Sequence, residues 1–137
     1  LYNGEWDGLQ PKVVSLLIGT NNTGHVKQNP VETAQGVAAI VEFIRTRSPQ
    51  TKIILHNVFP RAASKDDEMR RLNDEINRLC QPLIDGKNVY LLDMAPAFLQ
   101  PDGTLTKEIM PDLLHLNPAS YTLWAEALQK RIAEISK

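Results

Sequence analysis

The 137-residue sequence predicts an α/β fold, a parallel sheet with helices on its faces. First, three compact apolar runs, VVSLLIG (13–19), KIILHNVF (52–59) and NVYLLDM (88–94), show no clean alternation of apolar and polar residues. A strand covered on both faces reads this way, because both sets of alternate side chains meet apolar partners. Second, apolar stripes at helical spacing fall between and after these runs. Third, the order is strand, helix, strand, helix, strand, loop, helix. Such alternation implies right-handed crossovers and a parallel sheet.

The elements follow in order. The first strand runs into GTNNTGH (19–25), where Gly19 permits a sharp turn. Asn29 then caps a helix with Pro30 at its first position and Glu32 as capping-box partner. Its stripe is Ala34, Val37, Ala38, Val41 and Ile44. The second strand leads into FPRAAS (59–64), and a helix from about Ser64 sets Met69, Leu72, Ile76, Leu79 and Leu83 on one face. The charged residues from 65 to 78 read as that helix's solvated face. After the third strand, APAFLQPDGTLTKEIMPDLLHL (95–116) is irregular, with a turn at Pro101-Asp102-Gly103. Asn117-Pro118 opens the last helix, whose stripe is Tyr121, Trp124, Leu128, Ile132 and Ile135. These stripes read as core.

Composition bounds what such a chain does. Its length suits one domain with a sizeable core, and 42% apolar with 23% charged residues is ordinary for a globular protein. A net charge of −1 gives no reason to expect a nucleic-acid partner or an anionic membrane surface. No apolar run reaches the length of a membrane span. The single cysteine, Cys80, forms no intrachain disulfide and, between Leu79 and Leu83, reads as a buried helical thiol. Compartment and oligomeric state stay open, a homodimer included.

In open parallel sheets ligands sit beyond the carboxyl ends of the strands, and here GTNN, FPR and the loop of Asp112 and His115 meet at that rim. Asp112 lies three residues before His115, so its carboxylate can orient the imidazole. A solvated pair is the plainer alternative. Asn21 or Asn22 can donate a neutral amide N–H to a developing oxyanion, or simply shape an Asn-rich turn. His56 sits within a strand and reads as a core histidine; His25 either borders the site or is exposed. The three histidines lack metal-ligand spacing. Arg61 could bind an anion but reads more simply as a surface residue. Of the serines, only Ser64 falls at the correct rim, where a helix cap accounts for it, and none sits on a sharp strand-to-helix turn. An acid, a base and an oxyanion donor are therefore present without their nucleophile.

At this point IGTNN (18–22) and DLLHLNPASYTLWAEAL (112–128) together resemble the SGNH (GDSL-type) hydrolases. The first is similar to that family's Gly-x-Asn-Asp block, with Asn22 in place of the final Asp, and the second to its Asp-x-x-His block. GTNNTGH, FPR and PDGTLT are especially similar to the platelet-activating-factor acetylhydrolase Ib catalytic-subunit branch, and bacterial carbohydrate esterases are similar to that branch. The resemblance implies a flavodoxin-like three-layer α/β/α sandwich and ester hydrolysis through an acyl-enzyme. Asn21 would donate to the oxyanion, His115 would deprotonate the serine, and Asp112 would orient His115. Asn22 would shape the turn.

In that family the Gly-Asp-Ser nucleophile and a second oxyanion Gly lie upstream of the Gly-x-Asn block. Residues 1–137 are therefore expected to be the C-terminal portion of a single hydrolase domain, beginning inside it, with strands that would cover a bare sheet edge lying upstream. The chain alone is expected to be inactive. The implied partners are a small-molecule or carbohydrate ester and the missing N-terminal segment; no cofactor or metal is required. The competing reading is a noncatalytic ligand- or partner-binding module on the same scaffold. A phosphate- or flavin-binding domain is disfavoured, because no Gly-rich phosphate cradle follows a strand.

Overall fold

The computed structural model describes residues 4–24 and 27–136. Strands β1 (Val13–Leu16), β2 (Lys52–His56) and β3 (Val89–Leu92) pair in parallel in the order β1-β2-β3. Ser15 stands opposite Ile54, and Leu55 opposite Leu91. Because successive side chains of a strand face opposite sides, β2 feeds two cores. Ile53 and Leu55 join Ala34, Val37, Val41 and Ile44 of α2 (Pro30–Arg47) and Ile76 and Cys80 of α3 (Glu68–Cys80). Ile54 points the other way, among Leu92, Met94, Phe98, Leu105 and Met110, where Trp124, Leu128, Ile132 and Ile135 of α5 (Pro118–Ile135) pack. The result is the expected three-layer α/β/α sandwich. Ile53 and Ile54 are each fully buried, worth about 1.5–3 kcal/mol apiece.

The caps at Asn29 and Asn117 form as the sequence indicates. Asn29 accepts from Val31 N–H, and Asn117 from Ser120 N–H at 2.9 Å. Glu32 does not complete a capping box; its carboxylate accepts from the Gln28 amide instead. Cys80 is buried and free, and burial pushes its thiol pKa up.

Three expectations are corrected. α3 starts at Glu68, not near Ser64, because the Asp67 carboxylate accepts from Met69 and Arg70 N–H and makes the stronger cap. Ser64 closes a local turn by accepting from Asp66 N–H. The charged stretch 65–78 is not wholly solvated, since Arg70 is 2% exposed and the adjacent polar Asn73 is fully buried. Tyr121 is 51% exposed and outside the core, whereas the rest of its stripe is half-buried.

Two short α-helices, α1 (Thr20–Gly24) within the Asn-rich segment and α4 (Ala95–Phe98) after β3, and a 3₁₀ turn over Gln81–Leu83 complete the elements of the described residues. The Pro101-Asp102-Gly103 turn closes an isolated antiparallel bridge between Leu99 and Leu105.

Candidate active site

Every segment of the rim is built from local backbone chemistry. At the end of β1, Gly19 adopts φ +126°, a region that L side chains rarely enter, and a Cβ there would stand 3.0 Å from Val58 Cγ2. The chain then turns into α1, where Asn22 N–H bonds to Gly19 C=O at 3.1 Å. The Asn22 amide is taken by Gln28 Oε1, which agrees with a turn-shaping role. Asn21 is exposed, and its side chain makes no hydrogen bond to the described residues. Arg61, after β2, is half-buried: its Nη1 donates to Thr20 C=O at 2.9 Å, and its guanidinium lies where a Cβ at Gly24 would fall. It is therefore a brace for α1 rather than a loose surface residue.

The opposite wall is the loop before α5. Asp112 Oδ1 accepts from Leu114 N–H at 3.0 Å and His115 N–H at 2.8 Å, while Oδ2 lies 2.7 Å from His115 Nδ1. The His115 side-chain bond, followed by the backbone donors, holds the Asp112 carboxyl well below the usual carboxylate range. An ionised carboxylate is acceptor-only, so the contact is a hydrogen bond when Nδ1 carries a proton, which leaves Nε2 as the open ring nitrogen. Below the loop, Asn117 Nδ2 donates to Glu108 C=O at 2.6 Å, and Ser120 Oγ to Ile109 C=O at 2.8 Å. Ser120 is thereby committed to structure.

His115 and Thr20 line one cavity of about 250 Å³, with Leu17, Val58, Phe59 and Trp124 among its apolar walls. The ends of β1 and β2 and the Asp112 loop thus open on one space. Asn21 adjoins Thr20 but is not itself part of the lining. His25 lies outside the described residues. His56 is a buried core histidine, as expected, in edge-on contact with Phe59 and Trp124. Its Nε2 lies 2.7 Å from Ser15 Oγ, and its Nδ1 has no partner among the described residues. Among the described residues no serine bonds to His115. Sequence reasoning missed Arg70, whose contacts reach this site; its only signal is the polar spacing Arg70, Asn73, Asn77 on an otherwise amphipathic helix.

The chain belongs to the GDSL-like lipase/acylhydrolase family, whose profile matches residues 1–123. Among characterised relatives it is 35% identical over 136 residues to the chicken (Gallus gallus) platelet-activating factor acetylhydrolase IB subunit alpha2. That alignment takes in 98% of this chain and 58% of the relative, so the chain spans little more than half the length of the protein it matches. Its fold is similar to a GDSL-like lipase from Bacteroides thetaiotaomicron, with TM-score 0.77, 16% identity, and 90% of this chain and 63% of that one covered. It is also similar to a family 3 carbohydrate esterase from Talaromyces cellulolyticus, with TM-score 0.64, 19% identity, and 91% and 58% covered.

Proposed function

We propose that this chain is the C-terminal portion of a single serine-esterase domain, supplying the acid, the base and one oxyanion donor. The carrying observation is the 2.7 Å contact between Asp112 Oδ2 and His115 Nδ1, which leaves Nε2 as base beside a cavity shared with the end of β1. In this reading a serine on a segment upstream of this chain gives its proton to His115 Nε2 and attacks the ester carbonyl. Asn21 Nδ2 donates to the resulting oxyanion, together with a Gly from the same upstream segment; one such donor is typically worth about 10²–10³ in rate. Collapse breaks the ester bond, and His115 returns the proton to the leaving alcohol. Water then repeats the sequence on the acyl-enzyme.

The substrate class is a short acyl ester, such as an acetyl ester of a carbohydrate or related alcohol. The apolar cavity supports an uncharged acyl group, and the likeness to an acetylhydrolase subunit and a carbohydrate esterase supports the ester. The steps are nucleophilic and acid–base, so the residues named suffice for them. Triad members act as a unit, so the 137-residue chain alone is expected to leave esters unhydrolysed.

Fluorophosphonate labelling of the purified protein, read by intact mass and peptide mapping, tests the reading. An adduct on an upstream Gly-Asp-Ser serine, abolished by His115→Ala, is the expected result. An adduct on Ser64 or Ser120 would displace the nucleophile assignment. No adduct in a protein that includes the upstream segment would leave the noncatalytic binding module in its place.

A further inference from the structure

One face of α3 carries Arg70, Asn73 and Asn77, spaced so that their side chains stack along the helix. They bond in turn to the backbone leaving β2. Asn77 brackets Val58, with Oδ1 accepting from its N–H at 2.6 Å and Nδ2 donating to its C=O at 3.0 Å. Asn73 Nδ2 donates to Phe59 C=O at 3.0 Å. Arg70 donates from Nε to Arg61 C=O at 2.7 Å, from Nη2 to Ala62 C=O at 2.8 Å, and from Nη1 to Gly103 C=O at 3.4 Å. A guanidinium only 2% exposed is costly unless its donors are engaged, and here Nε and both terminal nitrogens are.

The segment so held carries an unusual backbone. Ala62 has φ +59°, and its N–H donates at 2.9 Å to the carbonyl of Leu113, which has φ +60°. Two left-handed non-glycine residues persist only where their surroundings over-determine them. Leu113 lies inside the turn in which Asp112 meets His115. We propose that Arg70 is a positioning residue for the Asp112–His115 pair. By fixing the Arg61 and Ala62 carbonyls it sets the Ala62 amide that anchors Leu113, and so the turn that brings carboxylate to imidazole. The same network reaches α1, since Arg61 Nη1 bonds to Thr20 and Thr23 Oγ1 lies 2.7 Å from Asn73 Oδ1. The hold itself follows from the contacts; that the held pair performs catalysis rests on the function proposed above. Arginine suits the place because its planar fork meets three carbonyls in fixed directions, which the point charge of lysine does not.

The ring nitrogens of His115, followed by ¹⁵N NMR in the labelled whole protein, test this directly. The parent is expected to show the neutral ring as the Nδ1–H tautomer bonded to Asp112. Arg70→Lys and Arg70→Met should mix in the Nε2–H form. Ile76→Val, a core trim on the same helix outside the network, should lower the melting temperature and leave the tautomer alone. Arg70→Met removes the buried charge at similar bulk and covers the case in which the lysine variant does not fold. An unchanged tautomer in a folded Arg70 variant overturns the inference, as does an equal change in Ile76→Val. A measurement on the parent needs no variant: the Ala62 amide should exchange with solvent as slowly as the amides of β2, and fast exchange also overturns it. In the whole ester-hydrolysing protein, the Arg70 variants should lower kcat about tenfold or more with KM within about twofold. A parent that hydrolyses no ester defeats the functional reading while leaving the NMR result to decide the positioning role.

Discussion

Asp112 satisfies three donors with two oxygens: the N–H groups of Leu114 and His115, and the ring of His115. Asp112→Asn keeps an acceptor for the backbone but puts an amide against Nδ1, which forces the opposite tautomer. Ester hydrolysis by the whole protein should then fall by about 10³–10⁴, as triad tautomer errors do. The pair is exposed and screened by solvent, so stability should change little. A kcat/KM measurement beside a thermal melt checks both, and retained activity would remove Asp112 from the machinery.

His56 predicts a pH effect with a definite sign. Burial lowers its pKa from 6.5 to about 4, so between those values the unfolded chain binds a proton that the folded chain does not. Its contribution is complete above about pH 6.5 and is lost as pH falls toward 4, about 3 kcal/mol in all. Urea unfolding at pH 7 and pH 4.5 should show this loss in the parent and lack it in His56→Leu; parallel profiles would refute it.

Among the elements, the entry to α5 couples stability to the site. Asn117, two residues after His115, caps α5 through Ser120 N–H and ties the preceding loop through Glu108 C=O. Asn117→Ala should cost about 1–2 kcal/mol, read in a denaturant melt, because a cap and a second bond are lost together. The turn after β1 is equally constrained. Gly19→Ala forces a side chain into φ +126° against Val58, and a loss of about 1–3 kcal/mol is expected in the same assay. A neutral result there would mean that the turn relaxes freely.

Across the whole molecule the two layers are unequally buried. α2 buries five residues and α3 four, whereas Ser120 is the one fully buried residue of α5. Local opening follows buried contact, so the α5 amides of this chain should exchange at least about tenfold faster than those of α2. Hydrogen exchange read by mass spectrometry decides it, and equal protection would show that one cooperative unit spans both layers. Among the described residues, no helix is long and apolar enough to cross a membrane.

The layered fold was legible in the sequence because its signals are local. Apolar runs without alternation mark doubly covered strands, and Asn29-Pro30 and Asn117-Pro118 mark helix starts through their own backbone bonds. Asp112 and His115 were legible as a pair for the same reason, being one turn apart in the chain. What needed tertiary structure depends on distant partners. Arg70 and Asn73 look like a solvated face until the carbonyls of residues 59, 61, 62 and 103 are brought to them. Ser15 and His56 meet only through strand register, and Thr20 and His115 share a cavity only because the loops after successive parallel strands fall on one side of the sheet. Local hydrogen bonding and periodicity are written in neighbouring residues. The burial of a polar group is decided by whichever backbone the fold delivers to satisfy it.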